Sequence, residues 1–143
     1  MKEVLILEDK SETRKVLAGL VKEVRSDAVI YEAADEKTAY DIAMKRTIDL
    51  FLVDIILHPQ QHDDVSGGEF AQNIRKVDKY LFTPILIITS MYDPKMCMYS
   101  SVHCYQFIEK PFDFEKVKQT IQEAIRYETV QELSLIHISE PTR

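Results

Sequence analysis

The sequence predicts a doubly wound α/β domain with a parallel five-stranded sheet in the order 2-1-3-4-5 and helices on both faces. Three observations support this. Short apolar runs recur along the chain, amphipathic helical stretches separate them, and the most uniformly apolar runs are the first, third and fourth. Runs of this kind suit strands buried on both faces of a parallel sheet. Alternation with helices requires right-handed crossovers. Central placement of the three most apolar strands is consistent with the doubly wound 2-1-3-4-5 order, in which the switch point lies between the first and third strands.

The elements follow in order. Val4-Leu5-Ile6-Leu7 ends in Glu8-Asp9. Ser11 is suited to cap a helix whose Val16, Leu17, Leu20, Val21 and Val24 form one apolar stripe. Val29, Tyr31 and Ala33 alternate as a flanking strand, and Asp35 caps a second helix carrying Ala39, Ile42 and Ala43 through about Arg46. Leu50-Phe51-Leu52-Val53 then ends in Asp54. The polar connection after it is long for a βα loop, which typically takes about 2–6 residues. Ser66-Gly67-Gly68-Glu69 has capping-box spacing and opens a third helix with Phe70, Ala71, Ile74 and Val77 facing inward. Pro84 to Ser90 is the fourth strand, residues 93–101 form a weak helix without a clean stripe, and Gln106-Phe107-Ile108 is the fifth strand. Asp113 caps a last helix, through about Glu128, with Val117, Ile121, Ala124 and Ile125 inside.

Composition bounds the function. A chain of 143 residues, 45% hydrophobic and 29% charged, suits one domain with a real core and excludes a disordered chain. A net charge of −6 disfavours nucleic-acid binding by this segment. Cys97 and Cys104 match no zinc or CxxC spacing and read as free thiols. No apolar run approaches the roughly 18 residues of a membrane span, and no leader precedes the first strand, so the expected location is the cytoplasm without membrane contact. Residues 1–132 form the expected domain. Residues 133–143 break the helical pattern and resemble a translated sequencing adapter, which belongs outside fold reasoning.

A lone buried charge is too costly to leave unpaired, so Asp54 is expected at the carboxyl edge of the sheet. Glu8, Asp9 and Asp54 then converge at the switch point. Two unit charges about 4 Å apart repel by about 4 kcal/mol at an effective dielectric near 20. A hard divalent cation with oxygen ligands, Mg2+, relieves that repulsion. Lys110, followed by Pro111, brings an ammonium group to the same edge, and Thr89 brings a hydroxyl. Acids, metal, hydroxyl and ammonium around one carboxylate suit in-line phosphoryl transfer to Asp54.

These pieces, Glu8-Asp9, Asp54, Thr89-Ser90 and Lys110-Pro111-Phe112 after successive strands, resemble the receiver domain of bacterial two-component response regulators over about residues 2–127. The resemblance implies a flavodoxin-like fold with Asp54 as phosphoacceptor. It implies Mg2+ held by Asp9, Asp54 and the Ile56 backbone carbonyl, with Glu8 acting through water. Thr89 and Lys110 would bind the phosphoryl group, and Phe107 would be an aromatic switch. It further implies a sensor histidine kinase or a small acyl phosphate as donor, and a domain that is no enzyme beyond its own phosphorylation and dephosphorylation. Homodimers would form through the fourth helical segment, the fifth strand and the fifth helical segment. The Val65-Ser66-Gly67, Phe82-Thr83-Pro84 and His103-Cys104-Tyr105 regions are similar to receivers of the LytTR class, whose output is a DNA-binding domain beyond Glu132. One departure is the loop after Asp54. Pro59 lies five residues on and Gly67 thirteen, an insertion of about five residues against the family pattern.

Other classes fit less well. A flavodoxin-like cofactor binder cradles phosphate with Ser, Thr and Gly after the first strand, where this chain has Glu8-Asp9-Lys10-Ser11. Aspartate-nucleophile hydrolases carry a second acid two residues after the nucleophile, where this chain has Ile56. A phosphorylation-independent interaction module remains as the alternative. His58 and His62 sit in a loop, where i, i+4 spacing does not make a metal face.

Overall fold

The computed structural model describes residues 2–55, 66–90 and 103–126. Five strands, β1 (Glu3–Leu7), β2 (Val29–Ala33), β3 (Leu50–Val53), β4 (Ile85–Thr89) and β5 (Gln106–Glu109), form one sheet ordered β2-β1-β3-β4-β5 with every pairing parallel. The described helices are α1 (Ser11–Val24), α2 (Glu36–Lys45), α3 (Ser66–Arg75) and α4 (Phe114–Ile125), with a 3-10 turn at Asp78–Tyr80. The weak helix expected over 93–101, the Ile56 carbonyl, His58, His62, Cys97 and the 133–143 tail lie outside the described residues.

The side-chain alternation of a strand explains why the central runs are apolar throughout. Leu5, Leu7, Phe51, Val53, Ile85 and Ile87 face the layer holding α2 and α3. Val4, Ile6, Leu50, Leu52, Leu86 and Ile88 face the opposite layer, built from α1 and α4. Both faces of the three central strands are therefore dry. Edge strand β2 is only half-buried except at Ala33.

The inner faces of the helices match the sequence pattern except at Val16, which is exposed although it was expected in the apolar stripe of α1. Leu17, Leu20 and Val21 of α1 and Val117, Ile121, Ala124 and Ile125 of α4 are buried in one core, and Ala39 and Ala43 of α2 in the other. Phe51 lies edge-on to Phe70 at 6.0 Å and to Tyr80 at 5.1 Å, which anchors α3 and the 3-10 turn beneath β3. The Tyr80 hydroxyl accepts from the Ile48 N–H at 3.1 Å and lies 2.6 Å from the Ala43 carbonyl oxygen. It thereby ties the end of α2 to the start of β3.

Asp35 and Asp113 cap α2 and α4, accepting from the backbone N–H of Thr38 at 2.8 Å and of Glu115 at 2.9 Å. Ser11 does not cap α1. The capping position belongs to Lys10, which makes no side-chain cap, and Ser11 is already helical. The Lys10 N–H turns back to the Glu8 carboxylate at 3.2 Å, so the acidic turn organises the start of this helix.

Candidate functional site

Backbone hydrogen bonds place Glu8, Asp54 and Lys110 at the carboxyl edge. The Glu8 N–H donates to the Ala33 carbonyl of β2 and the Asp54 N–H to the Leu7 carbonyl of β1, each at 3.0 Å. The Lys110 N–H donates to the Thr89 carbonyl at 2.9 Å, fixing the lysine backbone beside the end of β4. Gly67 N–H donates to the Ile55 carbonyl at 2.9 Å, drawing the start of α3 against the residue after Asp54. Gly67 is required by this approach. A Cβ there would overlap the Asp54 carbonyl oxygen and sit 2.7 Å from its carbon.

The side chains converge as expected. Carboxylate oxygens of Glu8, Asp9 and Asp54 all lie within 4.8 Å of one another. Lys110 Nζ donates to Glu8 Oε1 at 2.6 Å and to Asp54 Oδ2 at 2.8 Å. Glu8 is 1% and Asp54 5% exposed, and the Lys110 side chain retains 19%. Glu8 is thus the deepest of the three acids, and its direct ion pair with Lys110 was not legible in the sequence. Asp9 is half-buried, and Lys110–Pro111 is a cis peptide.

The Lys110 ammonium group pairs with two of the three carboxylates, and burial dominates the electrostatics of Glu8. Burial, partly offset by the hydrogen bond from Lys110 and reinforced by the charge of Asp54, raises the Glu8 pKa from 4.5 to about 7. For Lys110, burial alone would lower the pKa. Its hydrogen bonds and ion pairs with Asp54 and Glu8 outweigh burial and raise it. The two shifts are compatible. The lysine stays cationic, while burial favours the neutral form of the deeper carboxylate.

Thr89 is fully buried at the end of β4, whereas its neighbour Ser90 is exposed and lines the cleft above the site. Phe107 is half-buried on β5 against the core shared by α2 and α3. The cleft, about 530 Å³, is walled on one side by Asp9, Asp54 and Lys110 and on the other by Val16, Phe112 and Phe114. Val16 and Phe114 are exposed. This apolar wall was not anticipated, although both residues are visible in the helical stretches that border the site.

The donor set fits a hard divalent cation. Among the described residues every clustered candidate ligand is a carboxylate oxygen, and three of them crowd a site that Lys110 alone does not neutralise. A parallel 2-1-3-4-5 sheet with an acid cluster, a strand-end Asp and a lysine on one edge defines a signalling receiver of the two-component kind.

Comparison with known proteins agrees. The chain belongs to the response regulator receiver domain family, whose model matches residues 4–122. It is 28% identical over 122 residues to the sensory transduction protein LytT of Bacillus subtilis, covering 85% of this chain and 47% of that protein. It is 30% identical over 121 residues to LytT of Enterococcus faecalis, again covering 85% and 47%. The chain therefore spans about half the length of the curated relatives it matches. The chemotaxis response regulator CheY4 of Vibrio cholerae superposes with a TM-score of 0.72 at 26% identity, covering 87% of this chain and 98% of that one. Among the described residues, no helix is long and apolar enough to cross a membrane.

Proposed function

We propose that Asp54 is the phosphoacceptor of this receiver and that its phosphorylation requires Mg2+. The observation that carries the reading is Asp54 Oδ2 held 2.8 Å from Lys110 Nζ at a strand end, within a cluster of three carboxylates. Asp9 and Asp54 would hold Mg2+ directly, Glu8 through water, with the Ile56 carbonyl completing the protein ligands. When bound, the ion neutralises charge on the phosphoryl oxygens.

The chain's own groups do the rest. A carboxylate oxygen of Asp54 attacks phosphorus in line. An O–P bond forms as the donor's N–P or acyl O–P bond breaks, and the leaving group departs with its electron pair. Lys110, kept cationic by its two carboxylate partners, moves from ion pairing to the transferred phosphoryl oxygens. The Thr89 hydroxyl binds the same group, and Phe107 reports the change from the adjacent strand. A protein donor would be a histidine kinase. The apolar wall of Val16, Phe112 and Phe114 suits a partner helix that presents a phosphohistidine to Asp54 across the cleft.

By analogy with the LytT relatives, the output would be transcription through a DNA-binding domain of the LytTR class beyond Glu132. Reading the source DNA past that codon tests this, and a native stop codon there contradicts it. For the phosphoacceptor, incubation with a small acyl phosphate and Mg2+ should add the mass of one phosphoryl group to the intact protein. Omitting Mg2+ or substituting Asp54→Asn should abolish the adduct. A folded wild type that stays unmodified supports a phosphorylation-independent interaction module instead.

A further inference from the structure

We propose that Arg14 is a positioning residue for Asp9, fixing the direction in which that carboxylate faces a divalent cation. Arg14 lies on the first turns of α1 and its side chain returns to the acidic turn that precedes the helix. Nη1 donates to the Glu8 carbonyl at 2.8 Å and, more weakly, to the Asp9 carbonyl at 3.4 Å. These carbonyls belong to the two peptide units that flank the Asp9 Cα. Holding both planes restrains the backbone dihedrals of Asp9, and with them the direction of its side chain.

The guanidinium is itself fixed. Nε donates to Glu32 Oε1 of β2 at 3.2 Å, and the Arg14 side chain is only 17% exposed. The Arg14 N–H closes the first turn of α1 onto the Lys10 carbonyl at 2.9 Å, so main chain and side chain of one residue grip the same turn. A planar fork is suited to this. A lysine could reach one carbonyl but not hold both planes and Glu32 together. Partners that orient a metal's ligands typically change affinity by about 10–100-fold when removed.

The proposal rests on the Mg2+ reading above, and calorimetric titration of Mg2+ into the metal-free protein separates the two. Wild type, Arg14→Gln, Arg14→Lys and Glu32→Gln are compared, each with its metal-free urea midpoint. Arg14→Gln should weaken Mg2+ binding roughly tenfold, Arg14→Lys should fall between it and wild type, and Glu32→Gln, which loosens the guanidinium but leaves its grip on the two carbonyls, should weaken binding by less than Arg14→Gln. The sign is diagnostic, because simple loss of a nearby positive charge would tighten Mg2+ binding. Tighter or unchanged binding by both Arg14 variants, or a larger loss in Glu32→Gln than in Arg14→Gln, overturns the proposal. If wild type binds no Mg2+, the metal reading itself fails. Should Arg14→Gln not fold, the Arg14→Lys and Glu32→Gln pair decides the question alone.

Discussion

Replacing Glu8 by Gln should stabilise the metal-free protein above pH 7 and not near pH 4.5. Burial lifts the Glu8 pKa from 4.5 to about 7, so between those values the folded state holds a proton that the unfolded chain has released. The stability this group contributes is complete below 4.5 and is lost as pH rises through 7. At 1.36 kcal/mol per pKa unit, ionising Glu8 in the fold costs about 3 kcal/mol relative to the unfolded chain. Gln imitates the neutral acid and escapes that loss. Its single acceptor cannot serve both Lys110 Nζ and the Lys10 N–H, an offset of about 1 kcal/mol. The variant should thus gain about 2 kcal/mol at pH 8 and lose about 1 kcal/mol at pH 4.5. Urea unfolding with a chelator at the two pH values measures both. A difference between the proteins that does not change with pH would refute the reasoning.

Two further perturbations probe the same edge. Lys110→Met removes the ammonium group shared by Glu8 and Asp54 and should destabilise the metal-free fold by about 3 kcal/mol at pH 8. The deficit should shrink towards pH 5, because without the cation Glu8 protonates more readily in the fold; equal urea midpoints for variant and wild type would contradict this. Gly67→Ala forces a Cβ against the Asp54 carbonyl and should cost about 2 kcal/mol, read as a lower urea midpoint with unchanged slope. An unaltered midpoint would show that α3 shifts freely.

Much of this architecture is legible in the sequence because it rests on local pattern. Continuous apolar runs at β1, β3 and β4 betray strands covered on both faces, and the Asp35 and Asp113 caps use bonds only two or three residues away. The convergence of Glu8, Asp9, Asp54 and Lys110 is legible too, since strand ends in a parallel sheet share one edge. What escaped depends on long-range geometry. The Glu8–Lys110 ion pair spans 102 residues, and nothing in either neighbourhood says that Glu8 is the deepest of the acids. Ser11 has the chemistry of a cap but loses the position to a turn held by Glu8 and Arg14. Arg14 lies off the apolar stripe of its helix, so periodicity gives it no weight. Its place six residues after Glu8, one turn into the helix, was the available signal. Gly67 lies thirteen residues beyond Asp54, too far for spacing alone to reveal that their backbones touch.

The most direct test of the central claim locates the phosphoryl group chemically. An aspartyl phosphate is an acyl phosphate, which borohydride reduces to an alcohol with release of phosphate, leaving homoserine in place of the aspartate. After treatment with a small acyl phosphate and Mg2+, reduction and peptide mass mapping should find homoserine at position 54 and at no other aspartate. Homoserine at Asp9, at a surface aspartate, or nowhere in a folded and Mg2+-loaded protein would contradict the assignment of Asp54.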